Sequence, residues 1–453
     1  MEEQKAFTRR EFLEKSSLMV SAAVAGSATK ARAQLNNATG PLPSGLKVGF
    51  IGVGIRGTEL MEASRRIYGI ETVLACDLYK GHLVRAGELT GGEIETCGEY
   101  ERVLERSDID AVVVAVPDHW HKKILLDSLS AGKHVYMEKP LTHKLEDGRE
   151  MVRAVDKSGR VVQVGSQFLS MKCSKKAREF IRSGRLGKIM MVDAKMHRQN
   201  SQAACYYPIP PDASPETVDW QRFIGDQAPW HEFDPKRFFQ WRQFWDYSGG
   251  LTTDLFVHLV SATHYLMGVD EPESVCGFGA IYHWKNYREV PDQIAALVTY
   301  PQEFLLKLTT TANNGHPGPP LTFYGTEGTL EFRGDSFTFY HQPARERFGY
   351  STHSYASETQ AEIKAIMGLD EDMNLQSGTP AHAAEPVEYT VKGGESSTVA
   401  HLRNFYDAVS KGTKPIEDIR FGMKAANVAH MVNMSCKTGK FVRWNAKKGQ
   451  VEV

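Results

Sequence analysis

The sequence predicts an α/β fold: an N-terminal doubly wound parallel sheet, then a C-terminal α+β domain with a large, mostly antiparallel sheet. Over residues 46–165, near-continuous apolar runs alternate with helical patterns, as strands covered on both faces require. After Gly165, strand-length segments follow one another at hairpin-like spacing. A Gly-x-Gly-x-x-Gly turn also joins the first apolar run to the first helical pattern.

In order, residues 46–53 read as a strand, 58–66 as a helix and 71–76 as a strand. Residues 109–116 form the strongest buried run, followed by a helix over 120–130, a strand over 134–137, a helix over 145–158 and a strand over 161–164. The second part carries strands at 189–197, 274–283, 293–300, 304–311, 321–324, 329–332 and 336–340. An aromatic stretch, 220–247, and a polar stretch, 341–385, interrupt that sheet, as active-site loops or lids do. Helical patterns at 400–410 and 419–438 close the chain, and there are no internal repeats.

The chain has 453 residues, with 54 Lys and Arg against 55 Asp and Glu. A net charge of −1 argues against nucleic acid or an anionic membrane as partner, since both call for a basic excess. Hydrophobic residues at 41% suffice for real cores and exclude global disorder. The longest apolar run, 18–28, falls short of the roughly 20 residues needed to span a bilayer, so no transmembrane helix is expected. Thr8-Arg9-Arg10-Glu11-Phe12-Leu13, a weakly apolar stretch and Ala31-Arg32-Ala33 occur in the order of a twin-arginine export signal over 1–33. A polar linker over 34–45, a nucleotide-binding domain over 46–165 and a substrate-binding and oligomerisation domain over 166–453 follow, in a periplasmic or exported protein. Six scattered cysteines without a C-x-x-C indicate no disulfide scaffold.

Gly52-Val53-Gly54-Ile55-Arg56-Gly57 follows a strand and opens a helix, and Asp77 ends the next strand. Glycines let backbone N–H groups approach a pyrophosphate, the helix N-terminus favours its charge, and the acid accepts from ribose hydroxyls. A Rossmann domain binding NAD is expected. Asp77 would repel the 2′-phosphate of NADP, although Arg56 or Lys80 would offset that preference.

The chain resembles the Gfo/Idh/MocA family of nicotinamide-dependent sugar and cyclitol oxidoreductases over nearly its whole length. The motifs appear in order: the glycine turn, Val116-Pro117-Asp118-His119-Trp120-His121, then Ala131-Gly132-Lys133-His134-Val135-Tyr136-Met137-Glu138-Lys139-Pro140. A fourth segment, Gly249 to His258, carries an Asp254-x-x-x-His258 pair. The resemblance implies that Lys139, Asp254 and His258 line a carbohydrate pocket beside the nicotinamide, with Pro117, His119, His121 and Glu138 on the cofactor side. His119 and His121 have no third ligand in sequence, so no metal site is expected. Ser261 departs from the family pattern, in which an aspartate is common.

Oxidising a secondary alcohol needs a base for the hydroxyl proton and a cation beside the oxygen that loses it. Asp254 and His258, four apart on a helix, share a face. His258 is the expected general base, Lys139 its electrostatic partner and possible co-base, and Pro140 stiffens the turn. Trp241 and Arg242, with Tyr206, Tyr207 and Trp245 nearby, suit a sugar platform, because apolar sugar faces pack on rings. Aromatic core filling is the competing use of those rings.

Export would place the enzyme where soluble NAD is scarce, which implies a retained cofactor and a redox-neutral cycle. The leading function is therefore NAD-dependent oxidation of a sugar or cyclitol. An NAD-dependent glycosidase or lyase working by transient C3 oxidation is the alternative, although that exported branch departs at the lysine and carries a Tyr-Pro-Thr-His segment absent here. A non-catalytic sugar-binding protein is the third. An open antiparallel sheet suggests a homodimer or homotetramer.

Overall fold

The computed structural model describes residues 45–342, 348–369 and 385–452. The export-signal segment, the linker through Ser44 and much of the 341–385 stretch lie outside the described residues.

The first sheet contains β1 (Leu46–Ile51), β2 (Ile70–Cys76), β3 (Glu95–Cys97), β4 (Ala111–Val114), β5 (His134–Met137) and β6 (Val162–Val164). Their order is β3-β2-β1-β4-β5-β6 with every pair parallel, so the direction of winding reverses between β1 and β4. That switch point opens a crevice at the carboxyl ends of the strands. Val112, Val114, Val135 and Met137 are buried in the core, which is why residues 109–116 read as a continuous apolar run. The first helix starts at Ile55, three residues before the sequence pattern suggests, because the carbonyl of Gly54 already accepts the Thr58 N–H as the first helical bond.

The second sheet has ten strands in the order β14-β13-β12-β11-β7-β10-β9-β8-β15-β16. Its centre is β7 (Ile189–His197), parallel to β10 (Phe304–Thr311), which is antiparallel to β9 (Gln293–Tyr300). Beyond β9 lies β8 (Ser274–Ala280) and, at that edge, β15 (Val442–Asn445) and β16 (Gln450–Glu452). On the other side stand β11 (Leu321–Gly325), β12 (Gly328–Phe332), β13 (Ser336–His341) and β14 (Val387–Thr390). Strand β8 stops at Ala280, short of the expected 283, because Asp292 collects the backbone N–H groups of Tyr282, His283 and Trp284 and folds that stretch into a loop.

Strict alternation along β9 and β10 buries one face against helices Lys172–Arg182, Val257–Met267 and Ile419–Thr438. The other face carries exposed Phe278 and Leu297, opposite Ala295 and Cys276 respectively. The aromatic stretch 220–247 forms a satellite core of Trp220, Phe223, Phe238, Phe244 and Tyr247. No helix among the described residues is long and apolar enough to cross a membrane.

One buried carboxyl ties the sheets together. Glu417 accepts from Ser166 N, just past β6, at 3.0 Å and from Ser261 Oγ, on helix Val257–Met267, at 3.1 Å. Burial pushes its carboxyl up to about 8 against those two donors. The folded protein therefore keeps a proton that the unfolded chain has lost above its ordinary carboxylate range. This contribution to stability falls as pH rises from there through about 8. Glu417→Gln should flatten that fall, an effect of order a few kcal/mol at its largest. Melting temperatures of both proteins from pH 5 to 9 check this; parallel slopes would remove Glu417 from the account.

Candidate active site

A cleft of about 980 Å³ runs from the glycine turn to helix Val257–Met267. At its first end Gly52 has φ +83°, and a Cβ there would meet the Ala115 carbonyl oxygen at 2.5 Å. A Cβ on Gly57 would lie 1.9 Å from Gly52 O, so neither position admits a side chain. Gly54 offers no side-chain cap to helix Ile55–Arg65, whose first N–H groups are left for a ligand. Exposed Ile55 and the Pro117 ring line the same end.

Asp77, at the end of β2, accepts from Val53 N at 2.9 Å and Tyr79 N at 3.0 Å and pairs with His82 Nδ1 at 3.1 Å. Burial pulls its carboxyl up, but His82 and the two N–H groups prevail and hold it below its ordinary value. Glycines that a side chain would overfill, an uncapped helix and an ionised acid at the next strand end fit a dinucleotide.

Arg56 turns from the glycine turn toward the fifth strand: its Nε donates to Glu138 Oε1 at 2.8 Å and its Nη1 to Glu59 at 2.9 Å. Glu138 also accepts from Gln167 Nε2 at 3.1 Å, so the cofactor turn is braced against the residue preceding Lys139. A cis peptide links Lys139 to Pro140.

The other end of the cleft is built around Asp254. Lys139 Nζ donates to Asp254 Oδ1 and to its main-chain carbonyl, both at 2.7 Å. Arg242 Nε donates to the same Oδ1 at 3.2 Å, its guanidinium 4.2 Å above the Trp241 ring. Burial pulls the Asp254 carboxyl up, but Lys139 and Arg242 override it and hold it well below the ordinary carboxylate range.

His258 lines the same end and packs edge-on to Phe168. Its Nδ1 is buried without a hydrogen-bond partner. Burial, then the Lys139 charge, hold the ring well below the usual imidazole range despite Asp254. The ring is thus neutral at neutral pH.

Asp254 stands in a π-helical turn, Thr252–Phe256, rather than in the α-helix that the i, i+4 spacing suggests. Tertiary contacts force the wider turn. Asn433 donates to Gly249 O at 2.8 Å and accepts from Thr252 Oγ1 at 2.6 Å, while Gly250 takes φ +69° against Val290. Asp254 and His258 nevertheless both face the cleft.

The cleft lining thus brings together Gly52, Gly54, Ile55, Arg56, Asp77, Pro117, Glu138, Lys139, Trp241, Arg242, Asp254 and His258. Gly57 acts from beneath the turn. His119 and His121 stand apart. His119 Nε2 lies 2.9 Å from Phe223 O, and the His121 nitrogens lie 2.7 and 3.0 Å from the carbonyls of Pro140 and Val116. Both rings are buried, tying this loop to its neighbours instead of facing the cleft. Of the aromatic platform, Tyr207 and Trp241 line the cleft, whereas Tyr206 packs on Trp284 and Trp245 lies under Lys437. His82, Gln167 and Arg198 also line the cleft, without a motif in the sequence to mark them. His82, in the first turn after Asp77, and Arg198, just past a central strand, stand where such signals are read.

A model of an oxidoreductase family with an NAD-binding Rossmann fold, Gfo/Idh/MocA, matches residues 46–166, and one of that family's C-terminal domain matches 174–331. Inositol 2-dehydrogenase of Salmonella typhimurium is 27% identical over 158 residues, 34% of this chain and 47% of that enzyme. A glycosyl hydrolase family 109 protein of a Shewanella species is 30% identical over 125 residues, 25% of this chain and 26% of that protein. The chain thus spans less than half the length of these curated relatives. Levoglucosan dehydrogenase in complex with NADH and levoglucosan superposes with a TM-score of 0.63 at 18% identity, over 88% of this chain and 99% of that one. An aldose–aldose oxidoreductase from Caulobacter crescentus gives the same four values. At such identities the likeness is one of fold.

Gly57→Ala places a methyl group in the space of Gly52 O and should weaken NADH binding by at least about tenfold, the loss of one well-placed charge-assisted contact. Fluorescence titration of NADH, with the melting temperature recorded alongside, checks it; an unchanged affinity in a folded variant would remove the glycine turn from the binding site.

Proposed function

The chain belongs to the Gfo/Idh/MocA oxidoreductase family, and from that premise we propose that it oxidises a secondary hydroxyl of a sugar, sugar derivative or cyclitol with NAD. The observation that carries this reading is the convergence of Lys139, Asp254 and His258 on the cleft that begins at the glycine turn. When bound, the nicotinamide supplies the hydride acceptor. A substrate hydroxyl docks between Lys139 Nζ, two of whose donors Asp254 occupies, and the neutral His258 ring. His258 takes the hydroxyl proton, its lone pair uncommitted to any protein donor, and the remaining Lys139 N–H stabilises the oxygen as the proton leaves. Asp254 stays ionised and holds Lys139 in place. Asp77 at the ribose position favours NAD over NADP.

Two features extend this reading. The twin-arginine segment supports export to the periplasm, where NAD would be retained through a redox-neutral cycle. The exposed Phe278 and Leu297 on the open face of the second sheet support a homo-oligomer through that face. The match to a family 109 glycosyl hydrolase favours a second reading, in which transient oxidation at C3 acidifies the C2 proton and permits elimination and water addition. Lys139 in place ranks simple oxidation first.

Mass spectrometry of the purified protein should find a bound nicotinamide, and a sugar panel should reduce it; release of aglycone from a chromogenic glycoside without net NADH would reverse the ranking. Lys139→Ala should lower kcat by about 100- to 10,000-fold. Because His258 is held below the ordinary imidazole range, kcat/KM should stay level from pH 8 down past about 6.5. A break at the ordinary imidazole value would count against His258 as the base. Phe278→Lys with Leu297→Lys should yield monomers by light scattering; an unchanged mass would place the interface elsewhere.

A further inference from the structure

The substrate end of the cleft holds more positive than negative charge. Lys139 and Arg242 share one carboxylate, that of Asp254. A third cation, Arg198, joins the lining one residue beyond β7. Among the described residues no carboxylate pairs with Arg198; its one side-chain hydrogen bond goes to Met196 Sδ at 3.6 Å. Its charge nonetheless reaches the site: after burial and Lys139, it is among the cations that depress the His258 ring.

The cations at the cofactor end are matched. Arg56 pairs with Glu138 and Glu59, and Arg222 with Glu99 and Asp219. Asp118 lies beneath the substrate end without lining it, donating nothing to the cleft and accepting from Gly249 N. It offsets at most one of the two surplus charges. Arg242 is held in a fixed orientation, stacked on Trp241 and anchored by Asp254, whereas Arg198 is exposed at the mouth. A site for a neutral sugar has no use for an arginine left unmatched at its mouth, whereas a planar guanidinium fits a carboxylate edge to edge.

We propose that the substrate is a sugar acid, a uronate or aldonate, whose carboxylate meets Arg198 and Arg242 while a secondary hydroxyl reaches Lys139 and His258. This rests on the reading of the cleft as a hydroxyl-oxidising site. A monoanion is favoured over a phosphate ester because the uncompensated charge amounts to one or two units shared with Asp118.

The test uses the purified chain with its nicotinamide bound and an artificial electron acceptor to reoxidise it, bleaching of the acceptor being the readout. The panel pairs glucose with glucuronate and gluconate, galactose with galacturonate, and adds glucose 6-phosphate. The acids should show kcat/KM at least about tenfold above their neutral partners, the scale of one bidentate arginine contact. Their KM should also rise with ionic strength while that of the neutral sugars does not. Arg198→Gln should shrink the acid-to-neutral ratio toward one, and Arg198→Lys should keep part of it. Should the Gln variant fail to fold, the salt dependence of the wild-type protein still decides. Equal, salt-independent turnover of acids and neutral sugars would overturn the sugar-acid assignment and leave the oxidoreductase reading standing. A preference for the phosphate ester would overturn the carboxylate. No reduction of the nicotinamide by any sugar would overturn the oxidoreductase reading, and the assignment with it.

Discussion

One carboxylate organises the reactive end of this molecule. Asp254 draws Lys139 from the turn after β5 and Arg242 from the aromatic stretch onto a single oxygen. A charge so buried is tolerable only because both cations attend it, and each cation is placed because the carboxylate is there. The neutrality of His258 follows from burial and from the lysine that Asp254 fixes beside it. A strand end, a short turn of the aromatic stretch and the turn leading into helix Val257–Met267 thus meet at one residue, and the fold is the scaffold that brings them together.

A second link runs along the floor of the cleft. Arg56 leaves the glycine turn to pair with Glu138, whose next neighbour is Lys139, so the segment that would hold the cofactor and the one that would hold the substrate share a rigid member. Glu417 adds a third connection, from the end of β6 to the helix bearing His258, using Ser261. The serine that departs from the family's usual aspartate therefore has a partner acid supplied by another part of the chain.

Much of this was legible in the residues. The parallel sheet is visible because strands buried on both faces must be apolar throughout, as in residues 109–116, and the glycine turn because no other residue tolerates its close approaches. Helix Lys80–Thr90 escaped notice since it buries little beyond Ala86 and Thr90 and so shows no apolar stripe. The wide turn at Asp254 was hidden because Asn433, remote in sequence, imposes it. His119 and His121 looked like cofactor contacts from their position after the fourth strand, but backbone carbonyls within reach of a ring nitrogen are invisible to a linear reading. Arg198 carries meaning only through what is missing around it.

The lysine's second acceptor has an evolutionary consequence. Half of its anchorage at residue 254 is a main-chain carbonyl, which every amino acid possesses. Substitution can delete the acid but not that oxygen, so a change of side chain at 254 alters the charge offered to a substrate and takes the countercharge from Lys139, yet leaves the ammonium group one of its two acceptors. Any change in what the cleft accepts that begins at 254 therefore starts from a lysine that has lost its charge partner but kept one anchor.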